Sequence, residues 1–276
     1  MKDVKYIFCF VFCFIAMKDA KAQSGNDLFA LEKQLCFIQD TLYTLRQNYF
    51  YTNDNYCDSL QNRFSILLEE LCTADKGMKY DFRELRKKER QFTIAVSTDG
   101  YMRVFSRNTY WGGTMSLFAS YMQYKDKEQS YFFDMNDDND MGICYDTIYS
   151  IQALDKSYYL LSGTSQIATA YPLAVMKAVS CTNGELKQDT IFVSGNQQKD
   201  YLSISYRDAE DNIDARLFIG NNFTFPRIVY IGIQKEILKP VVVKDKDDTE
   251  YVSGEIEVYK LVRNKNEIKF ISNNER

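Results

Sequence analysis

The 276-residue chain has no histidine, one tryptophan, three prolines and twelve glycines. The missing histidine excludes Ser-His-Asp and Cys-His hydrolases, H-E-x-x-H zinc enzymes and any imidazole general base. No Walker loop or dinucleotide fingerprint is present, and no cofactor is expected. Any catalysis would fall to carboxylates, tyrosines or lysines. With so few prolines there is no Pro-rich linker, which suits a sheet-rich body. The chain also lacks a basic stripe, so nucleic acid is not an expected partner.

Long apolar runs are scarce. "YIFCFVFCFIAM", Tyr6–Met17, is shorter than the roughly 20 residues needed to span a bilayer. Lys2 and Lys5 precede it, and Ala20 and Ala22 follow it in an A-x-A pattern. These features predict a signal peptide over residues 1–22, cut before Gln23. Cys13 lacks the small preceding residues of a lipobox. The mature chain would be exported to the periplasm, cell surface or medium, with no transmembrane span. Its loss of four lysines and two aspartates moves the net charge from −4 to −6.

Five cysteines remain beyond that segment: Cys36, Cys57, Cys72, Cys144 and Cys181. They are odd in number and widely spaced, with no C-x-x-C pair. Small buried apolar residues are expected rather than a disulfide framework, although up to two bridges stay possible.

Residues 23–90 read as a helical region. Leu28, Leu31, Leu35, Ile38, Leu42, Leu45 and Tyr49 recur at helical spacing, as do Cys57, Leu60, Phe64, Leu67 and Leu71. The polar turn Thr52–Asn55 lies between them, which predicts an antiparallel hairpin closing on the body beyond. Asn26 or Asp27 is placed to cap the first helix. A short third helix is expected over "DFRELRKKER", capped by Asp81 with Glu84 three residues on.

From Gln91 the period falls to two. Residues 91–276 predict short strands in an antiparallel β domain, arranged as a meander, sandwich or barrel, with a propeller-like sheet as alternative. Turn chemistry at Thr98-Asp99-Gly100, Asn183-Gly184 and Asn264-Lys265-Asn266 marks hairpins. The fold class is therefore α+β.

The order "STDGYMRVFSR", "GGTMSLFASYMQY", "YDTIYSIQALDKSYYLLSG" and "AVMKAVSCTNGELKQDTIFV" resembles an uncharacterised group of exported Gram-negative bacterial proteins. The likeness covers roughly residues 90–195, and more weakly "VSGEIEVYKLV". Tyr101 stands where that group has a lysine, and Asp155-Lys156-Ser157 replaces a Gly-Lys turn. The resemblance implies aromatic-rich antiparallel strands and no particular activity or catalytic residue.

Four candidate sites emerge. Asp134, Asn136, Asp138 and Asp140 alternate like calcium ligands, but Asn139 replaces the loop glycine and Tyr145 the closing carboxylate. An exposed hairpin loop is the simpler expectation. Tyr110 and Trp111 of "TYWGG" offer an aromatic platform, or a core anchor beside a glycine bend. Glu255 and Glu257 share a strand face, a spacing that most often marks a solvent face but could serve paired-carboxylate chemistry. Thr41, Ser59, Thr147 and Thr190 each follow an aspartate and precede an aliphatic residue, resembling an O-glycosylation acceptor of some Gram-negative bacteria. The leading expectation is a non-enzymatic exported protein that binds an envelope protein or glycan or plays a structural part. The alternative is a carbohydrate-binding or carbohydrate-active protein using carboxylates and aromatics.

Overall fold

The computed structural model describes residues 25–48, 54–88, 91–111, 117–127, 129–136, 142–153, 156–168, 171–205, 227–244, 246, 250–264 and 267–273. The proposed signal-peptide cut, Asp138 and Asp140, and Gly112-Gly113 lie outside them.

Helices α1 (Gly25–Asn48) and α2 (Asp54–Thr73) form the expected hairpin. Its seam is the apolar stripe read from the sequence: Leu28, Leu31, Leu35, Ile38, Leu42, Phe64, Leu67 and Leu71 are buried. The hairpin closes on a first sheet, where Phe92, Phe105, Ala119 and Tyr121 complete one core with it. Asn26 and Asp27 do not cap α1, since the helix already runs from Gly25 and Asp27 lies in its first turn. No helix among the described residues is long and apolar enough to cross a membrane.

The third helix, α3, spans only Arg83–Arg86, and Asp81 does not cap it. Phe82 precedes it in a left-handed conformation (φ 52°), with its ring buried against Phe105. Asp81 instead pairs with Arg83 and Arg86. The first free amides of α3 are met from another element: Glu84 N–H and Leu85 N–H donate to Glu32 Oε1 of α1 at 2.8 and 3.0 Å. A carboxylate suits a helix N-terminus whichever part of the chain supplies it. Lys87 and Lys88 pair with Glu84 and Asp40.

Strands β1 (Phe92–Val96), β2 (Met102–Asn108), β3 (Phe118–Asp126) and β4 (Gln129–Asp134) make sheet 1, an antiparallel meander. Next come β5 (Cys144–Ala153), β6 (Lys156–Ala168), β7 (Tyr171–Thr182) and β8 (Glu185–Gln188). They join β11 (Tyr201–Ser205) in sheet 2, ordered β11-β7-β6-β5, with β8 also on β7. Sheet 3 is ordered β10-β9-β15-β14-β13-β12. It comprises β9 (Phe192–Ser194), β10 (Gln197–Lys199), β12 (Val229–Ile231), β13 (Glu236–Lys244), β14 (Glu250–Asn264) and β15 (Glu267–Ser272).

The layers stack as helices, sheet 1, sheet 2, sheet 3. The sheets are open and packed face to face, the sandwich option among those expected. Sheet 2 is covered on both faces: Tyr158 and Leu160 face sheet 3, while Tyr159 and Leu161 face sheet 1. A doubly covered strand reads as a continuous apolar run, as "YYLL" does. One pair departs from the all-antiparallel expectation. The extended run "ELKQDTIFVS" breaks at Asp189–Ile191, so that β9 leaves sheet 2 and runs parallel to β15, Phe270 opposite Phe192. Buried Asp189 holds the break through Lys156 at 2.6 Å.

The turn signals at 98–100 and 183–184 both make hairpins. Asn183 (φ 54°) and Gly184 (φ 80°) form a two-residue loop with both φ values positive, the twist such hairpins favour. A Cβ at Gly184 would also lie 2.3 Å from the Tyr131 ring.

Candidate functional site

The residues singled out from the sequence do not converge. Tyr110, at φ 62°, packs half-buried under the hairpin, edge-on to Tyr43 at 5.6 Å. Its N–H donates to Asn108 Oδ1 at 2.8 Å. Trp111 is 46% exposed, so it does not anchor the sheet core. Beside this corner lies a buried guanidinium that sequence reading missed. Arg107 is 1% exposed, stacks on the Phe64 ring at 4.5 Å and donates to Gln61 Oε1. Burial lowers its pKa, against the opposing pull of the neighbouring Tyr121 phenol.

Asp134 and Asn136 serve the fold. The Asn136 amide spans the Ser120 backbone, accepting from its N–H at 2.8 Å and donating to its carbonyl at 3.2 Å. It thus continues the β3–β4 ladder one step beyond the last strand pair, Tyr121–Asp134. Asp134 Oδ1 accepts the Asn136 N–H at 2.9 Å. Among the described residues no cluster of acids and thiols suits a metal ion.

The four hydroxyls are scattered. Ser59 is exposed on α2, and Thr41 donates back to Phe37 O on α1. Thr147 donates to Asp146 Oδ1 on β5, and Thr190 is exposed beside the buried Asp189. Cys36, Cys57, Cys72, Cys144 and Cys181 are free thiols.

The acids on β14 overturn the expected solvent face. Glu255 is exposed, but Glu257 is 8% exposed. The reason is local. Pro240 cannot donate to the ladder, and the β13–β14 register shifts between Pro240 and Val242. Opposite, Gly254 takes φ 84°. The irregularity changes the facing along β14, so that Val252 and Glu257 are both buried despite their odd separation.

Glu257 lies on the floor of a groove where the inner face of sheet 3 passes beneath β11. The main part, about 460 Å³, is lined by Ser203, Ile204 and Ser205 of β11 and by Lys239, Val242 and Glu257, among others. An adjoining part of about 180 Å³ shares Ser203, Lys239 and Glu257 and adds Lys199, Tyr201 and Tyr259. Lys239 Nζ sits 2.9 Å from Glu257 Oε2, and Ser272 donates to Oε1 at 2.8 Å. Burial pushes the Glu257 carboxyl up, but hydrogen bonds from Lys239, Ser272 and Tyr259 outweigh it, and its pKa falls below the ordinary value. The Tyr259 phenol is raised by burial and by its bond to Glu257. Sequence spacing could pair Glu257 with Glu255; only the fold reveals its partners on β13 and β15.

Comparison with known proteins brought no relative to this arrangement: no family model, curated protein or solved structure matches the chain.

Proposed function

We propose that this is an exported protein that works by binding, without catalysis, in the cell envelope or outside it, and that the groove beside β11 is its recognition surface. Export is supported by the charged start, short apolar run and A-x-A end of residues 1–22. Binding is supported above all by one observation, the Lys239–Glu257–Ser272–Tyr259 cluster on the groove floor. A carboxylate tied into a partly buried ion pair below its ordinary pKa is a poor proton donor at neutral pH. Its fixed charge and dipoles suit recognition. Tyr201, 45% exposed at the groove, favours a second reading in which a sugar ring stacks there.

The test is a photo-crosslinking residue at Ser203, with Glu255 as the control position, in cells that express the full chain. Adducts at 203 and none at 255 are the expected result. Equal labelling at both positions, or no adduct at 203, would remove the groove as the recognition surface. Intact mass of the exported species, expected to begin at Gln23, tests export separately.

A further inference from the structure

We infer that the groove takes an extended polypeptide segment of another protein, added as a strand to sheet 2 beside β11. This deepens the groove reading above by naming the chemistry of the ligand.

The backbone of β11 carries the argument. β11 pairs antiparallel with β7, Leu202 opposite Met176 and Ile204 opposite Ala174. One step earlier in the same register, Ala178 N–H donates to Asp200 O at 2.9 Å. Hydrogen-bonded pairs in an antiparallel ladder recur at every second residue. Leu202 and Ile204 therefore turn their amides toward β7, while Tyr201, Ser203 and Ser205 turn theirs away. Among the described residues no strand pairs on that outer side. Ser203, Ile204 and Ser205 line the larger part of the groove, and Tyr201 and Ser203 the smaller. A row of N–H and C=O groups that no described strand pairs thus borders an open groove.

The other edges of sheets 2 and 3 are blunted in ways β11 is not. β12 and β10 are three residues long, and β10 carries Lys199. β5 has a register shift between Tyr145 and Thr147 and packs against sheet 1. β11 reads "YLSIS", with no charge, proline or glycine. Such an edge is a template for another chain. The groups it presents repeat at the two-residue strand period of about 6.8 Å, which a peptide backbone matches and a glycan does not. Charge narrows the occupant further. Glu257 is neutralised by Lys239, whereas Lys199 has no acidic partner among the described residues. The segment should carry a carboxylate side chain opposite Lys199.

The probe is a library of capped pentapeptides of pattern x-Val-x-Val-x, where x is Thr, Tyr, Glu or Lys, passed over the immobilised mature chain. Retention with enrichment of Glu is expected. Methylating the amide nitrogens that face β11 should weaken a retained peptide by about tenfold, the loss of one or two net hydrogen bonds. Ser203→Pro should also abolish retention. It removes an outward N–H that no described strand uses, so the melting temperature should hold; should the variant unfold, the methylated peptide still decides. Lys199→Ala should erase the preference for Glu. Equal binding of the methylated peptide, or no retained peptide, overturns the inference. Maltohexaose or chitohexaose binding in the groove without peptide retention would sink it while leaving the groove reading intact. If neither saccharide nor peptide binds and no adduct forms at Ser203, both fall. A concentration-dependent dimer lost in Ser203→Pro would assign the edge to a second copy of this chain and also overturn the inference.

Discussion

Replacing Glu32 with alanine removes one carboxylate that serves three donors. Tyr80 Oη donates to Oε2 at 2.7 Å, and Glu84 N–H and Leu85 N–H donate to Oε1 at 2.8 and 3.0 Å. Glu32 is 1% exposed and the Leu85 bond is buried, so water cannot replace the lost acceptor there without entering the core. Hydrogen bonds to a charged acceptor contribute about 1.5–3 kcal/mol each, and a buried amide left unpaired costs about 1–3 kcal/mol. These terms overlap. The expected loss is about 3–5 kcal/mol, a large part of the 5–15 kcal/mol that holds a typical domain together. For a chain of this size that is on the order of 10 °C in melting temperature. Glu32→Gln keeps an acceptor oxygen at the helix terminus and should cost less than half as much. Urea unfolding followed by far-UV and near-UV circular dichroism is the assay, and the two signals must coincide for the free energy to hold. Tyr80→Phe adds a double-mutant cycle: it should cost about 1–2 kcal/mol alone and almost nothing in the Glu32→Ala background. A Glu32→Ala protein within about 0.5 kcal/mol of wild type would refute the reasoning, because α3 would then need no cap from α1.

Leu35→Ala, in the fully buried hairpin seam, should cost about 2–5 kcal/mol by urea unfolding, while Gln47→Ala on the exposed face should cost little. Asn136→Ala should cost about 1–2 kcal/mol in chelator and in calcium alike, since its amide bonds the Ser120 backbone; a loss seen only with calcium would make the acid loop a metal site. Stability should fall on the alkaline side. Burial pushes Cys36 up to about 11, and Tyr110 and Cys181 up to about 12, and raises Tyr80, Tyr159 and Tyr259 as well. Groups raised in the fold contribute fully below their unfolded values of 9.0 and 10.0, and that contribution is lost as pH rises through the folded ones. The urea midpoint should therefore hold near neutrality and drop above about pH 9; a midpoint unchanged at pH 11 would contradict this. The lowered Glu257 acts in the opposite sense, its contribution present above 4.5 and lost as pH falls. Unfolded under non-reducing conditions, the chain from Gln23 onward should show five thiols to a colorimetric thiol reagent, and the folded chain fewer, because Cys72 and Cys181 are buried.

Local signals carried much of the architecture. The leucine stripe from Leu28 to Leu42 identified α1 and its buried face, because helical periodicity is set by the backbone whatever the helix packs against. Asp99-Gly100 and Asn183-Gly184 located hairpins because the left-handed φ values at Gly100, Asn183 and Gly184 restrict which residues can stand there. Period-two segments identified strands, and the zero count of histidine removed whole classes of chemistry. Only the tertiary structure decided how the strands share three sheets, since each apolar face in "YYLL" can pair with any other and long-range packing chooses. It alone turned β9 parallel to β15, supplied Glu32 from α1 to cap α3 in place of Asp81, and joined Glu257 to Lys239 and Ser272 across three strands. The groove belongs with these. Its lining comes from β11 of sheet 2 and from β9, β13 and β14 of sheet 3, and the meeting of two stacked layers leaves no trace in the residues next to one another along the chain.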